Sequence, residues 1–367
     1  VTIYPAPTGG IIQAKNSKFV NNVISIRFGA YPEESISYFN ACQFETTDTL
    51  LENEVPDYFV KLYGIEGIEM DSCVFENNSA TDYFGNGIYS ADAHFSLDGI
   101  CTDDSSPCEE YDFSKMRSLN VAIRATENTP DKYIDVRHTR FINNYKGVSM
   151  SGINDARLTS NEIEVPYEVD TTYGLYMESC NGYHVENNDF HSSSSGTDLG
   201  NMIGMYILNS GPYYNIVYNN SFTSLGYGIM AVGENRNGTD DGLCFKCNDF
   251  DGVNTDILVT PEDGGPTGDN IGIKHHQGSM DPSDTAAAGN TFTENQSVLE
   301  YNLDNSYGAE LFKYYYSDTG IRYFTGKISG IQMQIKNKVI KVAMIYLAVQ
   351  YSRISQRIVN FNTVENN

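Results

Sequence analysis

The chain has 367 residues, and acidic side chains outnumber basic ones by 48 to 23, which gives a formal charge of −25. A surface this negative repels phosphate backbones and anionic bilayers, so composition argues against nucleic acid and against docking on anionic membranes. No apolar run in the sequence approaches the roughly 20 residues that a membrane-spanning helix needs. Tryptophan is absent while glycine numbers 32, and such a composition favours many short strands and turns.

A six-residue frame recurs along the chain: an apolar residue, two variable residues, a small or polar residue, a variable residue, and then Phe or Ile. Its nine copies are AKNSKF (14–19), FNACQF (39–44), MDSCVF (70–75), VRHTRF (136–141), LTSNEI (158–163), VENNDF (185–190), VYNNSF (217–222), FKCNDF (245–250) and AAGNTF (287–292). The 66-residue interval between the third and fourth starts is expected to hold a degenerate copy and an excursion. The other intervals are mostly 22 to 32 residues, a period typical of repeat architectures.

A second element precedes several copies, a glycine followed by an apolar, a variable and another apolar or small residue. It begins at Gly87, Gly147, Gly174, Gly204 and Gly228. Each period therefore predicts two or three short strands separated by turns, without a helix. We interpret the chain as all-β, one elongated right-handed parallel β-helix. In this solenoid of short strands, neighbouring coils bury each other's apolar face.

Stacked coils would place equivalent residues about 4.8 Å apart in columns. The last residue of the frame forms an inward column of Phe and Ile. The fourth residue forms a second column, at a tight corner between two strands: Ser17, Cys42, Cys73, Thr139, Asn161, Asn188, Asn220, Asn248 and Asn290. Asn tolerates the left-handed conformation, and stacked amides can bond to one another. In FINNYKG, Asn143 and Asn144 are likewise predicted to form a turn before a strand that opens at Gly147.

The frame VENNDF and the spacing of its copies resemble the right-handed parallel β-helix repeats of the pectate-lyase-like superfamily, over roughly residues 10 to 295. The stretches IGIKHHQGSMDPSDTAAAGNTF and YNLDNSYGAELFKYYYSD are similar to large secreted β-helix proteins of Bacteroidetes. This resemblance implies an extracellular or cell-surface location and a larger parent polypeptide. Most proteins of that group have no assigned reaction, so the resemblance implies architecture more than chemistry.

The predicted β-helix domain covers residues 1–321. Two segments depart from its repeat: one lies inside the domain, and the other is the tail that follows it. Residues 96–131 form an acidic excursion, either the wall of a functional groove or a solvated loop. Within it, Cys101 and Cys108, two of the seven cysteines, are predicted to form a disulfide. The tail, residues 322–367, has seven Lys and Arg but one acidic residue, and no copy of the frame. It is either a cap over the last coil or non-native sequence from a shifted reading frame.

The sequence offers only weak metal ligands. Asp240 and Asp241 in NGTDDG are candidates for calcium, which prefers carboxylate and carbonyl oxygens, although the pair also suits a turn. Cys244 and Cys247 form a C-x-x-C without a second pair, which disfavours zinc or redox chemistry. No cofactor is expected, with calcium left as an open alternative.

Three tyrosines share one place in the second element, two residues after the glycine: Tyr89, Tyr176 and Tyr206. Because Leu175 and Met177 take the inward positions, these tyrosines should point outward. They either stack on sugar rings or only stabilise the sheet surface.

Two functions are consistent with the sequence. The favoured one is a secreted or cell-surface module with a structural or interaction role and no reaction, which binds a polysaccharide or a cell-surface component. The alternative is a polysaccharide lyase or glycoside hydrolase that acts on an extended carbohydrate along one face of the helix. No catalytic residue can be chosen from the sequence.

Overall fold

The computed structural model describes residues 11–31, 34, 36–48, 54–126, 129, 132–192, 199–237, 241–262, 270–278, 287–294, 301–305, 309, 312–316, 327–329, 332–335 and 338–339. All regular structure in these ranges is β-strand. Accordingly, they contain no helix with the length and apolarity that crossing a membrane would require.

Three parallel sheets build the described part of the chain, and the chain visits them in turn. Sheet A contains Gln13–Lys15, Tyr38–Asn40, Ile68–Asp71, Phe95–Asp98, Ile134–Arg137, Arg157–Thr159, His184–Glu186, Asn215–Tyr218 and Leu243–Lys246. Sheet B contains Lys18–Val20, Gln43–Thr46, Val74–Asn77, Ser114–Arg117, Thr139–Ile142, Glu162–Val165, Asp189–Ser192, Ser221–Thr223 and Asp249–Asp251. Sheet C contains Ile26–Phe28, Tyr58–Tyr63, Asn86–Ala91, Val121–Thr126, Lys146–Ser151, Thr172–Glu178, Met202–Leu208, Tyr227–Val232, Thr255–Thr260, Tyr301–Asp304 and Lys327–Ser329.

Two smaller sheets complete the described structure. Ile100–Cys101 pairs antiparallel with Tyr111–Asp112. A four-stranded sheet is formed by His276–Gln277, Lys313–Tyr316, Gln332–Ile335 and Lys338–Val339. Of the predicted tail, Lys327–Ser329 continues sheet C, while most of the tail lies outside the described residues, so its nature stays a prediction.

The stacking of the frame confirms a parallel β-solenoid. Phe190 lies opposite Phe222, and Phe222 lies opposite Phe250, in adjacent strands of sheet B. Their rings stack with centroids 5.0 and 4.9 Å apart, and all three side chains are fully buried. Burying a Phe contributes roughly 1.5–3 kcal/mol, so this column forms a substantial part of the core.

The long interval in the repeat holds a copy that an insertion divides in two. Leu97 pairs with Val136 in sheet A, and Met116 pairs with Phe75 and Phe141 in sheet B. The hairpin at residues 99–113 separates these two halves, and Cys101 and Cys108 are disulfide-bonded across it. The excursion is therefore shorter than the predicted 96–131, because the residues that follow it return to sheets B and C.

The corner between sheets A and B corrects one prediction. The left-handed residue is the third of the frame, not the fourth: Asn16, Ala41, Ser72, His138, Ser160, Asn187, Asn219, Cys247 and Gly289 all have positive φ. A left-handed corner leaves the following side chain pointing inward, so Asn161, Asn188, Asn220 and Asn248 are buried.

The buried asparagines form a continuous amide ladder. The Asn188 backbone N–H and Nδ2 both donate to Asn220 Oδ1, each at 2.9 Å. Asn220 repeats this arrangement with Asn248 at 3.0 Å, and its Nδ2 also donates to the Val185 carbonyl at 3.0 Å. The predicted bonding between stacked amides is thus present, inside the core.

The two asparagines of FINNYKG have different structural roles. Asn143 has φ of 52° and turns the chain after sheet B, as predicted. Asn144 is buried instead: its Oδ1 accepts the Leu119 N–H at 3.0 Å and its Nδ2 donates to the Met116 carbonyl at 2.8 Å. At Gly147 a Cβ would lie 2.4 Å from the Gly174 carbonyl oxygen, so the close approach of the coils requires glycine there.

Candidate functional site

The three tyrosines lie in one outward column of sheet C. Successive strands place Tyr89, Arg124, Ser149, Tyr176 and Tyr206 opposite one another. The tyrosines are half-buried, while the inward residues beside Tyr176 are fully buried. Tyr176 and Tyr206 therefore sit on adjacent coils, and Tyr89 lies three coils from Tyr176.

Tyr173 joins the upper pair to form a compact aromatic cluster. The Tyr176 and Tyr206 rings are stacked, with centroids 5.3 Å apart and an interplanar angle of 4°. Tyr173 packs edge-on against both rings at 5.6 Å. Burial, reinforced by the nearby Glu178 carboxylate, raises the pKa of Tyr176 to about 12, so its phenol stays protonated and donates to Glu178 Oε2 at 3.4 Å.

One face of the Tyr176 ring is turned towards a small side chain. Ser149, on the neighbouring coil, replaces an aromatic residue at this place in the column. Arg124, one coil further, interacts with the Tyr58 phenol, on the side away from Tyr176. Two coil steps span roughly 9.6 Å, so the strand spacing leaves room for about one ring over Ser149, between Tyr176 and Arg124; we call this place the slot.

Tyr89 lies in a different environment. Its ring packs against Tyr58 and Tyr63 at 5.4 and 5.6 Å, and Lys61 lies over the Tyr58 ring at 5.7 Å. Arg27 covers Tyr63 at 5.2 Å. Neighbouring side chains thus cover the aromatic rings around Tyr89, whereas the residue opposite Tyr176 on the preceding coil is the small Ser149.

Of the two aspartates predicted as metal ligands, the structure describes only Asp241. Asp241 Oδ2 accepts a hydrogen bond from Asn237 Nδ2 at 3.2 Å, and Asp240 lies outside the described residues. Cys244 lies in sheet A, and Cys247 occupies the left-handed corner.

The described ranges hold one group of three potential metal ligands, Cys101, Asp103 and Cys108. Its two sulfurs are bonded to each other and cannot act as thiolate ligands. Calcium as a ligand of this chain therefore stays a prediction.

A cluster that the sequence did not reveal lies where the hairpin leaves sheet A. Asp71 and Asp98 are opposite each other on adjacent strands, and Asp98 Oδ1 is 2.8 Å from His138 Nδ1. The Tyr111 ring stacks on His138 at 3.6 Å. Burial, together with the Glu69 and Asp98 carboxylates, raises the pKa of Asp71 to about 6.

This cluster brings together groups that are 67 residues apart in the chain, from Asp71 to His138. A carboxyl with a pKa near 6, next to a second carboxyl that is hydrogen-bonded to a histidine, can exchange protons under mildly acidic conditions. Only the pairing across the divided copy of the frame brings these groups together.

No protein-family model matches the chain, and no curated protein matches it either. Function therefore has to be argued from the chemistry of these sites.

Proposed function

We propose that the chain is a secreted or cell-surface module, without a reaction of its own, that binds an extended polysaccharide along the outer face of sheet C. The observation that carries this proposal is the stacked Tyr176–Tyr206 pair, whose outward column continues to Ser149 on the preceding coil. An aromatic face binds the C–H face of a sugar ring, while neighbouring polar groups bind its hydroxyls. Sheet C offers both, with Tyr176 next to Ser149 and the Arg124 guanidinium beyond it.

The shape of the solenoid supports an extended ligand. The outward column continues past the slot in both directions along the axis, so a chain of sugars could contact several coils at once. Repeated weak contacts of this kind add avidity without any single deep pocket.

The proposed location is extracellular. The disulfide between Cys101 and Cys108 is typical of oxidising compartments. We also propose that the chain belongs to the pectate-lyase-like superfamily and is related to the secreted β-helix proteins of Bacteroidetes. The three-strand coil and its amide ladder support them. In this proposal the module is part of a larger exported polypeptide.

Tyr176→Ala tests the slot. We expect at least tenfold weaker binding of the polysaccharide that the parent chain retains, because the stacking surface is lost; tenfold corresponds to about 1.4 kcal/mol. Binding would be measured by affinity electrophoresis against a panel of neutral and uronic polysaccharides, with and without calcium.

Tyr213→Ala is the matched control, since Tyr213 is 61% exposed and lies in a turn outside sheet C. It should bind within twofold of the parent chain. Retention of no polysaccharide from the panel, or equal binding by Tyr176→Ala, would show that the proposal is wrong.

The Asp71–Asp98–His138 cluster favours one second candidate function, glycan cleavage. Asp71 and Asp98 lie opposite each other on adjacent strands. The spacing of such strands is close to the roughly 5 Å that separates the two carboxyls of retaining glycosidases. The same polysaccharide panel, assayed for new reducing ends and unsaturated products, distinguishes cleavage from binding alone. Product formation that Asp71→Asn abolishes would establish the second candidate, and absence of products with intact binding would support the first.

A further inference from the structure

An open groove of about 410 Å³ lies on sheet B, away from the tyrosines of sheet C. Consecutive strands place Gln43, Val74 and Lys115 opposite one another, and Glu76 opposite Arg117. Its volume is suited to a ligand the size of one sugar ring or slightly larger.

The hairpin that divides the repeat anchors one side of this groove. Ser72, which lines the groove, donates to the Asp112 carbonyl at 2.8 Å, and its Oγ accepts the Ile100 N–H at 3.2 Å. The hairpin root thus fixes the corner next to the groove, although the hairpin itself contributes no lining residue.

Lys115 and Arg117 are the distinctive residues of the groove. They alternate on one strand, so both side chains project from the outer face of sheet B. The side chain of neither residue makes a hydrogen bond or an ion pair with any of the residues that the structure describes.

Three of the other cations on sheets A and B form ion pairs with carboxylates. Lys18 pairs with Glu45, Arg137 with Asp135, and Arg140 with Glu162. The chain has 48 acidic and 23 basic residues, so two neighbouring cations that form no ion pair with a described residue are unusual in it. Their charges are available to bind an anion.

We infer that the groove binds an oxyanion, a carboxylate or a sulfate or phosphate ester, carried by a sugar-sized ligand. Lys115 and Arg117 would hold the oxyanion through charge-assisted hydrogen bonds. Val74 offers an apolar contact for the ring. The one carboxylate that lines the groove, Glu76, accepts a hydrogen bond from Gln43 Nε2 and is only 9% exposed. The groove therefore keeps an excess of one positive charge.

This site is independent of the proposed polysaccharide slot, because it uses another sheet and another chemistry. The experiment is isothermal titration of the whole chain at fixed ionic strength with glucuronate, glucose 6-sulfate, glucose 6-phosphate and neutral glucose. We expect at least one anionic sugar to bind at least tenfold more tightly than glucose. Which of them binds identifies the source of the oxyanion.

The double variant Lys115→Gln/Arg117→Gln should lose at least tenfold in affinity for that anionic sugar. Lys246→Gln is the control for loss of surface charge, since it removes one positive charge from an outward position of sheet A, whereas the double variant removes two from the groove. It should bind within twofold of the parent chain, and circular dichroism would verify that each variant is folded.

Two results would overturn the inference: no anionic sugar binds more tightly than glucose, or the double variant binds as tightly as the Lys246→Gln control. Tyr176→Ala should keep its affinity for the anionic sugar even where it loses polysaccharide. Failure of the groove and failure of the slot are therefore measured separately.

Discussion

Asp71 illustrates how stacking changes the chemistry of a single residue. Its carboxyl is half-buried, and among the described residues no donor lies within hydrogen-bonding distance of it. Glu69 lies on its own strand, and Asp98 faces it from the next coil. Burial and these two like charges favour the protonated form, which accounts for a pKa of about 6.

This raised pKa predicts a pH-dependent stability. A carboxyl whose folded-state pKa exceeds its unfolded value stabilises the fold when protonated, and that contribution is lost as pH rises from about 4 through 6. We expect Asp71→Asn to raise the free energy of unfolding at pH 7.5 by about 1 kcal/mol, a value reduced for solvent screening. At pH 4 the variant should match the parent chain.

Urea denaturation at both pH values measures this difference. The matched control is Asp82→Asn, at an exposed position, which should change stability by less than about 0.5 kcal/mol at either pH. A gain in Asp71→Asn that is equally large at pH 4 and pH 7.5 would contradict the assigned cause.

Among the structural elements, the corner between sheets A and B separates two roles that look alike in the sequence. Asn219 adopts the left-handed conformation and is exposed, while Asn220 beside it is buried in the amide ladder. The first residue makes the bend, and the second satisfies the backbone groups that the bend leaves inside.

Substitution of the two neighbours should therefore have unequal costs. Asn220→Ala removes the acceptor for two donors of Asn188 and the donor to the Val185 carbonyl, so we expect a loss of roughly 3 kcal/mol. Asn219→Ala should cost about 1 kcal/mol, the penalty for a left-handed alanine. Chemical denaturation of both variants checks the order, and an equal loss would argue against the ladder as a stabilising element.

At the scale of the whole molecule, the solenoid is one-dimensional. Each coil contacts its immediate neighbours, so stability is close to a sum of coil and interface terms. Phe190 lies in a middle coil, fully buried between Ile163 and Phe222. Phe19 lies in the first described coil and is only half-buried, stacked on Phe44 at 4.8 Å.

We expect Phe190→Ala to lower the free energy of unfolding by about 3–5 kcal/mol and Phe19→Ala by less than about 2 kcal/mol. Amide hydrogen exchange should show faster opening of the central coils in the first variant. In the second variant, the change should be confined to the first coils. Uniform acceleration along the chain in Phe19→Ala would mean that the solenoid unfolds as one cooperative unit.

The fold and its core columns were determined by the sequence itself. A hexamer that ends in Phe or Ile fixes both the period and the inward side of each strand, and coils in register then bury those rings together. The same regularity predicted the outward place of Tyr176 and Tyr206. The disulfide was predictable because Cys101 and Cys108 lie close together in a polar segment.

Only the tertiary structure decided which residues meet across coils. Because an insertion divides one copy of the frame, the sequence did not show that Met116 belongs to the Phe column. For the same reason it did not show which residues lie opposite Lys115, Arg117 and Asp98. In a repeat, large apolar side chains at a fixed spacing determine which residues fill the interior of the solenoid. The chemistry of its outside depends on the pairing of strands across an insertion, which local spacing does not contain.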